Sequence, residues 1–387
     1  MNANAMAPAA QAAALDLACR LAVKQLPSFV RLVWPVLNPG RALVWNKHHD
    51  ALCKHAEALL DGRIRHLLCN LPPGYTKTTI FTICLPMWRM LTRPSLRVIC
   101  ASYSHTLASK AAKERVKLLR SPIYQRLAAT AISMGTPEWE FTGLTIREIE
   151  TSRSGFVLAT SVGGEGLGRH ADLIVVDDPN KAQDVYTVRL AQAIEWFDET
   201  LRTRVTDVSS TAFLVVMQRL SAADLCGRLV KDPLWTHLCL PAEFDPTKRC
   251  ETSIGWSDWR TEEGELLFPE RFPQEWIDHE KGPFGIGSIG FSAQQNQDPV
   301  SGSGNVFHRE WFRFWTDDES LPPDTEETEN GIDAWYPEEV DEILASWDLT
   351  FKSGAGTDFV CGQIWARVGA KCFLLEQVHA RLGFVET

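Results

Sequence analysis

A Lys-Thr pair after a proline-glycine turn, and an Asp-Asp pair closing an apolar run about a hundred residues later, are the residues of this chain best placed to do chemistry. The first pair closes Leu71-Pro-Pro-Gly-Tyr-Thr-Lys-Thr78, which follows the apolar Leu67, Leu68 and Cys69 and leads into Ile80 and Phe81. A strand, a tight turn and Lys-Thr at a helix start aim backbone N–H groups, an ammonium and a hydroxyl at the phosphates of a nucleoside triphosphate. The segment departs from G-x-x-x-x-G-K-[ST] at Leu71 and Thr76, so Gly74 is its one glycine, and Pro72 and Pro73 offer no N–H. A phosphate cradle would therefore draw on Gly74, Tyr75, Thr76, Lys77, Thr78 and Thr79. Taken alone, the segment reads equally as a Pro-Gly turn capped by a surface lysine.

The second pair ends Ala171-Asp-Leu-Ile-Val-Val-Asp-Asp-Pro179. Four apolar residues in a row fit a strand buried on both faces, and carboxylates at its C-terminal end lie where open α/β sheets put their ligands. This is a Walker B arrangement. Asp177 would hold Mg²⁺ together with the Thr78 hydroxyl, and Asp178 would polarise the attacking water. The bland alternative is a strand end capped by solvated acids.

These pairs need elements to position them, and the chain is long enough to supply them. At 387 residues, with 45% hydrophobic and 23% charged residues, it has room for two domains and the composition of a globular protein. No apolar stretch reaches the roughly 18 to 20 residues of a membrane span, and the Ala-rich start lacks the basic lead of a signal peptide. The expected location is the cytosol. Ten scattered cysteines with no C-x-x-C and no Cys/His pair at zinc spacing suggest neither a disulfide framework nor a zinc site. The net charge of −10 is uneven: 15 Lys/Arg stand against 4 Asp/Glu from Arg41 to Arg126, and 7 against 25 from Pro241 to Ala345. A basic lobe around a nucleotide loop suits a protein that tracks a phosphate backbone, although such runs are also ordinary solvated faces.

Residues 1–40 read as a helical lead-in ending at Pro35 and Pro39-Gly40. Residues 41–240 alternate short strands with helices, which implies an α/β fold with a doubly wound, mostly parallel sheet. Strands are expected at 96–101 and 212–217, a basic amphipathic helix at 106–119, a hairpin at 145–150 and 156–160, and helices at 184–202 and 222–230. Residues 241–340 turn to Trp, Pro, Gly and acid, an irregular subdomain with a linker near Leu321-Pro-Pro-Asp324. From 341 to 387 three antiparallel strands are expected, at 343–350, 359–368 and 372–378, with Asp348 in the first. A meander of about 45 residues is too small to close a core by itself.

The motifs, in their order and spacing, resemble the large terminase subunit of tailed bacteriophages. Besides the two pairs, the resemblance rests on Ala101-Ser-Tyr-Ser-His105, Ser161-Val-Gly-Gly164, Gly168-Arg-His-Ala-Asp172, Met217-Gln-Arg-Leu220 with Asp224-Leu225 and Gly227, Gly264-Glu-Leu-Leu-Phe-Pro-Glu-Arg-Phe272, Gln294-Gln-Asn-Gln-Asp-Pro299 and Ser346-Trp-Asp348. It runs from about Trp45 to the last residue, and the family pattern tolerates a missing glycine before the Walker lysine. The family implies an ATPase domain with a P-loop fold, followed by an RNase H-like nuclease domain. It makes Lys77-Thr78 the Walker A pair, Asp177 the magnesium aspartate, Asp178 the catalytic carboxylate, and Gln218-Arg219 the coupling segment that senses the γ-phosphate. Arg169, after the glycine-rich stretch from Gly163, becomes a candidate arginine finger acting in cis or on a neighbouring subunit; a loop residue paired with Asp172 is the alternative, and Arg115 and Arg120 are rivals. Adenine would lie near Trp45, Asn46 and His48, where Trp45 also reads as a core residue and the histidines as solvent-exposed.

The resemblance further implies ATP and Mg²⁺ as cofactors, double-stranded DNA, a small terminase subunit and the portal protein of the prohead as partners, a homo-oligomeric ring as the working state, and the host cytoplasm as the location. Asp348 matches the first metal-binding aspartate of the nuclease, a site for Mg²⁺ or Mn²⁺ that needs several converging acids. Asp358 is a candidate auxiliary acid or a turn residue, while Glu376 and Glu386 stand in no matching context, so a truncated and inactive nuclease is expected. A helicase-like P-loop NTPase and a non-catalytic assembly remnant are the competing readings.

Overall fold

In the computed structural model, residues 8–164, 168–184, 188–299, 315–316, 334–335, 340–348, 360–369 and 371–380 are described. The chain divides into two compact units, Met1–Ser301 and Gly302–Thr387.

The first unit is built on one eight-stranded sheet. Its strands are β1 (His66–Asn70), β2 (Arg97–Ser102), β3 (Phe141–Leu144), β4 (Glu148–Thr151), β5 (Phe156–Ser161), β6 (Leu173–Asp177), β7 (Ala212–Met217) and β8 (Trp235–Cys239). They lie in the order β3-β4-β5-β2-β6-β7-β1-β8. Pairing is parallel from β5 through to β8 and antiparallel only in the β3-β4-β5 corner. The expected doubly wound, mostly parallel sheet is therefore present. Every residue of β6 and β7 is buried, and alternate side chains feed two separate cores. Leu173 and Val175 join Leu67, Cys69 and Val98 on one face, whereas Ile174 and Val176 join Leu68, Ile99 and Phe213 on the other. This is why the runs read as unbroken apolar stretches; each fully buried Val, Ile or Leu contributes about 1.5–3 kcal/mol.

Helices α1 (Pro8–Lys24), α2 (Leu26–Leu37), α3 (Lys47–Leu60) and α4 (Leu85–Thr92) accompany α5 (His105–Leu119) and α6 (Pro122–Ser133). Cys19, Ala22, Leu26, Phe29 and Val33 of the first two helices lie in the same apolar cluster as β1 and β2. Helix α2 runs past Pro35 to Leu37, because the missing N–H falls in its last turn where little helix remains to be broken. The long helix expected over 184–202 is a 3₁₀ turn at Ala182–Asp184, helix α7 (Arg189–Glu195) and a π-helical stretch at Trp196–Leu201, with residues 185–187 outside the described set. The helix expected over 222–230 is reduced to α8 (Leu225–Leu229), whose start is fixed by Asp224 accepting from the Gly227 N–H at 2.7 Å.

The second unit holds the expected three antiparallel strands, Glu342–Asp348, Val360–Val368 and Lys371–Ala380. The Trp347 ring packs onto Gly362, where a Cβ would collide with it. Among the described residues no helix is long and apolar enough to cross a membrane.

Candidate nucleotide-binding site

Strand β1 delivers the chain to the loop at its C-terminal end, and the Lys-Thr pair opens the helix that follows. Thr76, standing where the usual pattern has glycine, keeps the left-handed conformation at φ +60°, at a cost of about 1–2 kcal/mol for a residue with a Cβ. Gly74 takes φ +87°, and a Cβ on it would lie 2.9 Å from the Phe272 ring. The loop is braced from behind by that ring. Tyr75 is buried and stacks on Phe272 at 4.7 Å between centroids, so its side chain belongs to the aromatic packing and only its backbone is left for a ligand.

The Lys77 side chain is 5% exposed. Its Nζ donates to the Leu71 carbonyl at 2.9 Å and to Gln218 Oε1 at 3.2 Å, and it stands 3.8 Å from Asp178 Oδ1. The three strand ends that carry Lys77, Gln218 and Asp178 are adjacent because β7 lies between β1 and β6. Asp178 sits at φ +46° and donates its own N–H to the Val216 carbonyl at 2.8 Å.

Asp177 is buried, and Thr82 donates to its Oδ2 at 2.7 Å. Its Oδ1 is also buried and, among the described residues, has no hydrogen-bond partner. Burial first, and the neighbouring Asp178 charge second, raise the Asp177 carboxyl above the usual carboxylate range, while the Thr82 and Thr78 hydroxyls and Lys77 pull the other way. A cleft of about 440 Å³ opens beside these groups, lined by Thr78, Thr79, Thr82, Arg115, Asp177 and Asp178 among others. Asp177, with one oxygen free of hydrogen bonds among the described residues, and Thr78 both line this cleft; a carboxylate and a hydroxyl are hard oxygen donors, which fits Mg²⁺ held by few protein ligands, with water and phosphate oxygens completing its shell.

Arg219 is placed differently from Gln218. Its guanidinium is bound to Asp224, which is fully buried and also accepts from the Leu220, Ser221 and Gly227 amides. Its own N–H donates to Gln297 Oε1 at 3.0 Å. The distant motif at 294–299 thus docks on the exit of β7. Gly227 fits because a Cβ there would collide with the Ala222 carbonyl.

Arg169 pairs with Glu148 at 2.9 Å and Glu150 at 2.8 Å on β4, with its guanidinium over Phe156. The alternative pairing with Asp172 is not formed: that carboxylate lies 3.4 Å from Arg93 and accepts the Arg97 N–H at 3.1 Å. β4 is four strands away from β7 in the sheet order. The rival Arg115 is buried on α5 and lines the cleft.

The expectation that the histidines near residue 48 are solvent-exposed is overturned. His48 and His49 are buried, and burial holds both well below the usual histidine range. Their rings pack with Phe268, and that of His48 also meets Tyr75, so α3 is pinned under the 268–272 segment. Asn46 caps α3 and Trp45 donates to Asp50 at 2.9 Å.

The second unit places Asp348 at the end of an exposed strand, opposite Cys361. Glu376 pairs with Ile364, which pairs with Ala345, three residues before Asp348 and therefore on the opposite face. Asp358 and Glu386 lie outside the described residues, and the described residues contain no group of three or more potential metal ligands.

Sequence reasoning missed Thr82, which follows Thr78 by one helical turn and so shares its face, and the Leu71 carbonyl that Lys77 reaches.

No protein-family model and no curated protein matches the chain. Solved structures do. The similarity is to phage large terminases. That of bacteriophage HK97 aligns with a TM-score of 0.43 and 12% identity, over 89% of this chain and 66% of the other. The large terminase of a thermophilic bacteriophage aligns with a TM-score of 0.32 and 10% identity over 91% and 68%. The same thermophilic phage protein in complex with ATP-γ-S gives 0.34 and 10% over 85% and 67%. The chain thus spans about two thirds of the length of these terminases. At such scores the likeness adds nothing to the chemistry, which stands on this chain's own geometry.

Proposed function

We propose that this chain is an ATPase that converts hydrolysis into movement of double-stranded DNA, as the large subunit of a phage terminase. The observation that carries the ATPase reading is the meeting of Lys77, Gln218 and Asp178 at the ends of three adjacent strands, beside a buried Asp177 with one unpartnered oxygen. The loop from Gly74 to Thr79 would cradle the phosphates, with Lys77 leaving the Leu71 carbonyl to neutralise the β/γ-phosphates. Thr78 and Asp177 would hold Mg²⁺, which supplies charge neutralisation at the phosphates. Asp178 orients the attacking water and accepts its proton as the water oxygen bonds to the γ-phosphorus and the bond to the β,γ-bridging oxygen breaks, releasing ADP. Gln218 loses its lysine contact when phosphate arrives, so the β7 exit, with Arg219, Asp224 and Gln297, is suited to sense occupancy.

The DNA-packaging part of the reading rests on the ordered motifs. A helicase-like NTPase would share the nucleotide site, but the 294–299 motif seated on Arg219 favours the terminase. In that reading Arg169 completes a neighbour's site in a ring, a small terminase subunit and a portal protein are the partners, and Asp348 belongs to a nuclease site that binds Mg²⁺ or Mn²⁺. The test is DNA-stimulated phosphate release by the purified chain. Release that DNA stimulates and that Lys77→Ala removes supports the proposal; wild-type release by Lys77→Ala sinks the loop assignment.

A further inference from the structure

Thr82 has no part in the nucleotide chemistry above, yet it is buried and makes two contacts that join three elements. Its hydroxyl donates to Asp177 Oδ2 at 2.7 Å, and its carbonyl accepts from Arg115 Nη1 at 2.8 Å. Thr82 stands in a π-helical stretch, Thr79–Cys84, directly after the Lys-Thr pair. Such stretches are rare and recur at functional sites. Arg115 comes from α5 and is 1% exposed, and among the described residues its Nε has no hydrogen-bond partner. Among the described residues no carboxylate forms an ion pair with it. A buried guanidinium directed at one backbone carbonyl is a costly way to fill space, and here it fixes the turn that carries the Thr82 hydroxyl.

We propose that Thr82, held by Arg115, is a positioning residue that occupies Asp177 Oδ2 and thereby leaves Oδ1 as the oxygen presented to the metal. The proposal rests on the nucleotide-site reading above. A carboxylate at a strand end rotates about χ2 with little resistance. One strong hydrogen bond to a fixed donor removes that freedom and settles which oxygen stays free for a metal, beside a cleft that Asp177 and Thr78 both line. Outer partners of metal-binding carboxylates act in this way, and losing one typically lowers metal affinity about 10–100-fold.

The test compares Thr82→Val, which keeps the shape and removes the hydroxyl, with Thr82→Ser, which keeps the hydroxyl. Mn²⁺ binding is followed by electron paramagnetic resonance in the presence of a non-hydrolysable ATP analogue. Binding of the same analogue in excess chelator is measured alongside, by fluorescence. Thr82→Val is expected to weaken Mn²⁺ binding about tenfold or more and to leave metal-free nucleotide binding unchanged, with Thr82→Ser close to wild type. Equal losses in both variants would assign the effect to packing, and wild-type Mn²⁺ binding in Thr82→Val would also overturn the proposal. If Thr82→Val does not fold, Arg115→Met decides: weakened Mn²⁺ binding with intact metal-free nucleotide binding supports the proposal, and unchanged Mn²⁺ binding overturns it. Failure of the wild-type chain to bind the analogue at all would instead remove the nucleotide site itself, and the proposal with it.

Discussion

Asp177 ends a strand flanked on both sides by parallel neighbours and buried throughout, whereas Asp348 ends a strand whose described residues are all exposed. Around Asp177 the fold gathers a lysine from the loop after β1, a glutamine from the end of β7 and two threonine hydroxyls from the same helix. Around Asp348 the meander contributes Cys361 opposite, and the candidate acid Glu376 points to the other face. Acids of the same type are thus placed at strand ends in both units. What separates a candidate site from a single carboxylate is the number of other strand ends that converge on it, and a wide parallel sheet with its C-terminal ends aligned supplies more of these than a three-stranded antiparallel meander.

The comparison can be broken most directly at Lys77. Lys77→Ala should lower DNA-stimulated phosphate release by about 100-fold or more, since it removes the buried ammonium aimed at the phosphates. Asp178→Asn should keep nucleotide binding within about twofold while turnover falls roughly 100-fold. If binding and turnover fell together, Asp178 would be a structural partner of Lys77 and not the residue that orients water.

Arg169 tests whether the first unit is complete by itself. In solution the chain alone should hydrolyse ATP slowly, and mixing Arg169→Ala with Lys77→Ala should recover a measurable fraction of activity if the guanidinium acts on a neighbour's site. An Arg169→Ala chain with full activity and no recovery on mixing would leave Arg169 as a brace between Glu148, Glu150 and the Phe156 ring.

A smaller effect should appear in stability. Because burial and Asp178 raise the Asp177 carboxyl, the folded state binds its proton more tightly than the unfolded chain does. In metal-free buffer that contribution is complete below the ordinary aspartate pKa of about 4. It is lost as pH rises through the higher value that Asp177 has in the fold. The Tm should therefore drop by roughly a few °C across that window, and Asp177→Asn should flatten the drop; calorimetry at stepped pH checks it. The smallest effect is expected in the second unit: supercoiled plasmid with Mn²⁺ or Mg²⁺ should stay intact, and Asp348→Ala should leave ATP turnover unchanged. Nicking that disappears in Asp348→Ala would show that one exposed strand end suffices and would dissolve the contrast between the two units.

The sequence by itself determined the buried strands of the large sheet and the Lys-Thr and Asp-Asp pairs that end on them. Unbroken apolar runs at 173–176 and 212–217 specify strands buried on both faces, and a Lys-Thr pair after a Pro-Gly turn opens a helix at the end of such a strand. Periodicity of this kind is local, so it survives in one dimension. Tertiary structure alone decided which groups meet. The insertion of β7 between β1 and β6 brings Gln218 to Lys77, and the packing of Phe272 behind Gly74 fixes the loop. It also put Arg169 on Glu148 and Glu150, buried His48 and His49 under Phe268, and set Thr82 against Asp177. Each of these contacts depends on strand order or on which face of an element turns inward, and neither is encoded by the spacing of residues along the chain.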